Sequence, residues 1–281
     1  MWALRHALWC RRTGDLSLST PMPEITMENQ DTILETRSLC KSYGAVRAVQ
    51  HVSWKIKRGE VSALVGDNGA GKFTLIKLIT GALVADEGEI LVNGKQAHIR
   101  TPDDAFEHGI AAVYQDLALV ESRDVVMNMF LGDELTHGPL NLFLDHKGMQ
   151  REAERVLSEE IHSRIPSVRQ LVSRLSGGQR QAVAVGRALI RGGEIIIMDE
   201  PTAALGVEQT REVLNLINAL RDRGKTVILI SHNLSQVFEI ADQISVMFRG
   251  EMVGTRRTAE TTRQEIISMI VGFTADEAAF V

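Results

Sequence analysis

Residues 61–78 read VSALVGDNGAGKFTLIKL, and no other stretch narrows the possible folds as far. VSALV is a short β-branched run that enters a loop holding Gly66, Gly69 and Gly71, and the residues behind the loop have helical apolar spacing. Glycines at those places let the backbone take positive φ and turn its N–H groups inward, which makes a cradle for phosphate oxygens. Asp67, Asn68 and Ala70 complete the loop. The helix that follows aims the positive end of its dipole at the same point, and Lys72 can reach the outer phosphates of a nucleotide. Strand, glycine loop and helix in this order match the pattern G-x-x-x-x-G-K-[ST] everywhere but its last position, where this chain has Phe73. A glycine turn with an exposed lysine would share some of these letters, but not the strand before and the helix after. Thr74 adds a hydroxyl on the same turn, placed for the α-phosphate.

Further along, EIIIMDE (194–200) and TVILIS (226–231) are nearly continuous apolar runs, as in parallel strands covered on both faces. EQTREVLNLINALRDRG lies between them, an amphipathic helix that ends at Gly224. GEILVNGK carries Asn93-Gly94, a hairpin-turn dipeptide. From about Asp116 to Arg174 the chain reads mainly as polar helices and loops without a strong strand. The expectation is an α/β fold with a parallel core sheet, an antiparallel annex near the N-terminus and a helical insertion.

The 281 residues are 44% apolar and 24% charged, the balance of a globular protein with a substantial core. A net charge of −5 gives no basic field for nucleic acid. Cys10 and Cys40 make no disulfide framework and suit a reducing cytosol. No uninterrupted apolar stretch approaches the roughly 18–20 residues that span a bilayer. Arg5 and His6 interrupt the apolar start of the chain, unlike a secretory signal. Residues 1–31 are read as a disordered or misassigned leader, with Met22 and Met27 as alternative starts and a membrane-surface helix as the competing reading. Residues 273–281 are read as a tail.

Two more stretches bear on the loop. Asp199 and Glu200 stand at the carboxyl end of a buried strand, where open α/β sheets bind ligands. One carboxylate can hold Mg²⁺ and its neighbour can deprotonate an attacking water, although such a pair alone is as easily structural. LSGGQRQAVAVGRALI (175–190) opens with Ser176-x-x-Gln179, the spacing of a helix capping box. A cap explains Ser176 and Gln179 but not Gly177 and Gly178, which weaken a first turn. Glycines there suit a helix tip that another body approaches closely, and a helix start with a hydroxyl is also an anion site.

With L-S-G-G-Q between the phosphate loop and the D-E pair, and His232 after them, residues 32–272 resemble the ATP-binding cassette (ABC) family of ATPases. The resemblance implies a P-loop NTPase fold: a RecA-like parallel core sheet, an antiparallel β subdomain and a helical signature subdomain at about 116–180. Carried over by position, it implies that Tyr43 stacks on adenine and that Gly66 to Thr74 hold the phosphates of ATP. It further implies that Gln115 and Asp199 attend Mg²⁺, that Glu200 is the general base and that His232 contacts the γ-phosphate. Ser176, Gly177, Gly178 and Gln179 are implied to face the nucleotide of a second subunit. Two copies, or this chain and a relative, would then close head-to-tail over ATP and reopen after hydrolysis.

GDNGAGK, VYQDLALV, DEPTAALGV and SHNLSQVFEIADQISVMFRGE further resemble the ATPases of bacterial ribose-, xylose- and fructose-type importers. That likeness implies separate membrane permease subunits docked on the helical insertion and, indirectly, a periplasmic sugar-binding protein. It places this chain peripherally on the cytoplasmic face of the inner membrane, coupling ATP hydrolysis to monosaccharide uptake. Two departures stand out. Ala203-Ala204-Leu205-Gly206 replaces the wider family's S-A-L-D after DEPT and marks the sugar-importer subgroup. Phe73 replaces a magnesium ligand, and magnesium tolerates imperfect octahedral geometry poorly, so weakened Mg²⁺ binding and slow hydrolysis are expected. The alternative is a regulatory nucleotide-binding subunit that hydrolyses poorly and pairs with an active cassette. A chromosome-type ATPase would need a long heptad coiled coil, which is absent from the sequence.

Overall fold

The computed structural model describes residues 31–137 and 143–273. The expected leader up to residue 30 and the tail beyond Phe273 lie outside the described residues. Asp31 does not belong with the leader, because its carbonyl accepts the Arg58 N–H at 2.8 Å.

The first half of the chain builds β1 (Thr32–Tyr43), β2 (Val46–Lys57), β3 (Val61–Val65), α1 (Lys72–Ile79), β4 (Glu87–Val92), β5 (Lys95–Ala97), α2 (Pro102–Glu107) and β6 (Ile110–Val113). The insertion then holds α3 (Val125–Met129), a short hairpin of β7 (Thr136–His137) and β8 (Phe143–Leu144), and α4 (His146–Arg155). The chain continues with α5 (Gly177–Ile190), β9 (Ile195–Asp199), α6 (Val207–Asp222), β10 (Thr226–Ile230), α7 (Leu234–Ile240), β11 (Gln243–Phe248), β12 (Glu251–Arg257) and α8 (Arg263–Ile270). The expected insertion boundary at 180 therefore falls inside α5.

Six strands form the core sheet in the order β12-β11-β3-β10-β9-β6. All neighbours are parallel except β11 and β12. The apolar runs are continuous because each face has its own core, and side chains alternate between them. Val61, Ala63 and Val65 of β3, with Val227 and Leu229 of β10, face a layer that includes α5 and α6. Leu64, Ile228 and Ile230 face the opposite way, toward α1 and the antiparallel sheet β2-β1-β4-β5. Each valine, leucine or isoleucine among these, fully removed from water, contributes about 1.5–3 kcal/mol.

The antiparallel sheet is clipped to the core sheet by buried polar groups that satisfy one another. Trp54 of β2 donates its indole N–H to Ser245 Oγ at 2.7 Å, and the Gln243 amide of β11 donates to the Lys55 carbonyl of β2 at 3.2 Å. Such pairings hold two sheets at a defined offset, since slipping would strand the groups without partners. The offset brings β2 alongside the loop after β3. The insertion packs through α3 onto α5, where Gly186 leaves room for the Met129 methyl.

Candidate functional site

β3 delivers the chain into the loop, and three glycines take φ of +151° (Gly66), +82° (Gly69) and +99° (Gly71). A Cβ on Gly66 would run into the Met247 carbonyl, and one on Gly71 into the Ala48 carbonyl. The loop is therefore moulded against β11 and β2. Gly71 caps α1 from the left-handed region without a side-chain bond. The first turn of the helix closes with the Leu75 N–H donating to the Gly71 carbonyl at 2.9 Å. The N–H groups of Lys72, Phe73 and Thr74 consequently have no partner within the helix and are offered to an anion.

Lys72 reaches back over the loop, and its Nζ donates to the carbonyls of Gly66 (2.7 Å) and Asp67 (3.0 Å). Burial lowers its pKa, while the charges of Glu200, Asp67 and Asp199 act in the other direction. Burial likewise raises the Asp199 carboxyl, helped by neighbouring Glu200 and opposed by Lys72. A polyanion or a cation entering here would therefore meet charges that the fold holds at some cost.

Residues Asn68 to Thr74, Gln115, Asp199 and Glu200 line a single cleft of about 690 Å³. Glu200 has φ +46°, an uncommon backbone for a non-glycine residue, and its N–H donates to the Ile230 carbonyl at 2.9 Å. That contact ties the end of β9 to the end of β10. It also brings Glu200 Oε1 within 2.8 Å of His232 Nδ1. The carboxylate is 18% exposed and the imidazole 76%, so a shielded carboxylate holds a histidine that projects into solvent. Tyr43 lies half-exposed at the end of β1, in the hairpin whose Val46 lines the cleft.

Phe73 is 50% exposed at the cleft edge. Its ring stands edge-on to Tyr114 at 6.5 Å between centroids, and Lys77 Nζ lies 4.2 Å above it. An apolar ring thus borders Gln115 and Asp199 where the motif supplies an oxygen. Among the described residues no group of three His, Cys, Asp or Glu is clustered to hold a metal ion unaided. Asp199 and Gln115 suit Mg²⁺ only together with oxygens of a bound phosphate, and the hydroxyl donor is missing.

The signature tip carries the capping box that the Ser176-x-x-Gln179 spacing suggested. Both bonds of the capping box are made: Gln179 N–H donates to Ser176 Oγ at 3.2 Å, and Ser176 N–H donates to Gln179 Oε1 at 3.0 Å. Within the same chain the near neighbours of Gly177 and Gly178 are the side chains of Leu205, just before α6, and of Glu212 on α6. A Cβ on Gly177 would strike Leu205, and one on Gly178 would strike Glu212. Gly178 and Gln179 line a separate cavity beside α6, away from the phosphate loop. Ser176 Oγ accepts a bond in the cap, which leaves its own O–H free to donate elsewhere.

Sequence reasoning missed two charged residues of the cleft wall, Arg47 and Arg249. Both sit in stretches already singled out for other residues, KSYGAVRAV and MFRGE, and neither has a motif of its own. No helix among the described residues is long and apolar enough to cross a membrane.

Comparison with known proteins adds three likenesses. The family model described as ABC transporter matches residues 49–203. A xylose/arabinose import ATP-binding protein of Sulfolobus acidocaldarius is 44% identical over 241 residues, covering 86% of this chain and 94% of that one. A fructose import ATP-binding protein of Rhizobium meliloti is 43% identical over 247 residues, covering 86% and 95%. Among solved structures, a nucleotide-free ATP-binding cassette from an ABC transporter aligns with a TM-score of 0.73 at 28% identity, covering 88% of this chain and 98% of that one.

Proposed function

This chain belongs to the ABC transporter family, and from that premise we propose that it is the ATP-binding subunit of a sugar importer. The P-loop cassette architecture expected from the sequence is the one found. Both curated relatives compared above are named as sugar import ATP-binding proteins, one for xylose and arabinose and one for fructose. Monosaccharide uptake through separate membrane permease subunits is the activity that these names support for this chain.

The observation that carries the catalytic reading is the convergence of Lys72, Asp199 and Glu200 on one cleft, with His232 held against Glu200. In this reading the loop N–H groups and Lys72 bind the phosphates of ATP. Glu200 takes the proton of the attacking water, and His232, oriented by its 2.8 Å contact with Glu200, meets the γ-phosphate. Asp199 and Gln115 would attend Mg²⁺, whose chemistry is to neutralise charge on the phosphates. Tyr43 offers its ring to the base. Ser176 donates its free O–H, beside the glycines, to the nucleotide of a second cassette at the cytoplasmic face of the membrane.

Phe73 favours a second reading, a nucleotide-binding subunit that hydrolyses slowly and regulates an active partner cassette. Reconstitution decides between them. The chain, co-purified with multispan membrane subunits and placed in proteoliposomes, is expected to drive ATP-dependent uptake of a pentose or hexose. Pairing only with another soluble cassette, with no ATP-dependent uptake, would replace the importer reading by the regulatory one.

A further inference from the structure

We propose that Arg47 and Arg249 are nucleotide ligands, forming a basic wall that holds the α- and β-phosphates on the side of the loop away from Asp199 and Glu200. This rests on the nucleotide-binding reading above and adds residues that none of the motifs includes. Strand order sets the geometry. β3, which feeds the phosphate loop, has β11 on one side and β10, β9 and β6 on the other. Asp199, Glu200 and Gln115 follow β9 and β6, so the carboxylates all arrive from one side. Arg249 follows β11 and arrives from the other, next to Arg47 of β2, and both line the same cleft.

The turn that carries Arg249 is fastened to the loop itself. Gly250 N–H donates to the Ala70 carbonyl at 2.9 Å, and Gln50 donates to the carbonyls of Gly250 (2.8 Å) and Arg249 (2.9 Å). The guanidinium lies over the Phe248 ring at 4.9 Å. Among the described residues neither Arg47 nor Arg249 has a carboxylate partner, whereas Arg257 on the strand after the same turn pairs with Glu60 at 2.6 Å. Two cations are thus kept unneutralised beside a cradle made for a polyanion.

The backbone supplies an independent argument. β11 and β12 are joined by two residues, Arg249 at φ +48° and Gly250 at φ +87°, the signs of a type I′ turn. That turn prefers Asn, Asp or Gly at its first position. The other such hairpin in this chain, between β4 and β5, uses Asn93 (φ +53°) and Gly94 (φ +73°). At the cleft an arginine stands where its own backbone preference argues against it. A guanidinium fork that grips phosphate oxygens accounts for the exception.

The test is equilibrium binding of ADP and of ATP, in EDTA, to the full chain and to Arg249→Asn, Arg249→Lys and Arg47→Ala. Arg249→Asn suits the turn and removes only the cation, so its nucleotide-free melting temperature should equal or exceed that of the parent. Arg249→Asn and Arg47→Ala are each expected to weaken ADP and ATP by the same factor, about tenfold or more, with Arg249→Lys in between. Unchanged affinity in both removals overturns the proposal, as does a loss confined to ATP, which would put the guanidinium at the γ-phosphate. A parent chain that binds neither nucleotide would overturn the cassette reading too, an outcome distinct from parent binding that the substitutions leave intact.

Discussion

Replacing Phe73 by serine should make the protein less stable and a faster ATPase at once. The stability side follows from what the ring touches. Its edge-on contact with Tyr114, at 6.5 Å between centroids, falls in the range of aromatic pairs worth about 0.5–1.5 kcal/mol. The Lys77 ammonium, 4.2 Å above the ring at an exposed site, adds about 0.5–1 kcal/mol. The ring is half-exposed, so truncation forfeits roughly half the value of a buried phenylalanine, about 1 kcal/mol. These contacts overlap, and a net loss of about 1–3 kcal/mol lowers the melting temperature by several degrees. The catalytic side has the opposite sign. A restored hydroxyl beside Asp199 and Gln115 supplies the missing magnesium ligand, and about 3 kcal/mol of transition-state stabilisation raises turnover more than a hundredfold. Phosphate release at saturating Mg-ATP, read beside a melt of the same preparations, checks both signs. Phe73→Ala controls for truncation, because it loses the same contacts and gains no oxygen. Equal, brisk rates in the parent and Phe73→Ser would refute the reasoning, since the ring would then cost the metal site nothing.

Glu200→Gln should slow hydrolysis by about 10²–10⁴-fold while leaving ADP affinity close to the parent's, and a fall of less than tenfold would remove Glu200 as the base. For Asp199 the sign comes from burial, which raises its folded pKa above 3.8, so ionising it opposes folding. Asp199→Asn should therefore melt above the parent near pH 7, with the gap closing as pH falls toward 3.8 and the parent carboxyl takes up its proton. A gap independent of pH would show that charge is not its cause. Ser176→Asp keeps a strong N-cap for α5 and sets a negative charge at its tip. It should preserve the melting temperature yet abolish ATP-dependent pairing in gel filtration or light scattering, whereas retained pairing would take Ser176 away from the second nucleotide.

What could be read from the sequence followed from how each segment is covered. β9 and β10 were legible because both faces are buried, so all but a terminal residue of each strand are apolar. β1 and β2 were legible only as an annex. Register shifts at Leu39 and Lys41 break the two-residue alternation, and Ser38 and His51 take positive φ beside them. The glycine loop was read correctly in position and in its positive φ, though not in the packing around it. Its φ values were expected, whereas the carbonyls of Ala48 and Met247 that also forbid a side chain come from β2 and β11. Beside Gly177 and Gly178, the neighbours within the chain, Leu205 and Glu212, were likewise invisible in the sequence. The Glu200–His232 contact was invisible because it depends on β9 and β10 being adjacent.

The unlike walls of the cleft follow from the same strand order. Parallel strands must return by crossovers, so β9 and β10 each lead through a connection, carrying Glu200 and His232, into a helix. β11 instead pairs antiparallel with β12 and returns through two residues, whose carbonyls and N–H groups are bonded to Gln50 and Ala70. A turn held so tightly fixes the origin of a cation but cannot move with a cycle of hydrolysis. The basic wall is therefore suited to grip the part of the nucleotide that stays the same in ATP and ADP. The wall of Asp199, Glu200 and His232 faces the part that changes. Phe73 stands on that changing side, against Tyr114 and next to Gln115. On the proposed reading an apolar ring there would slow turnover and leave the grip on the diphosphate intact, so binding and hydrolysis are expected to separate in this protein.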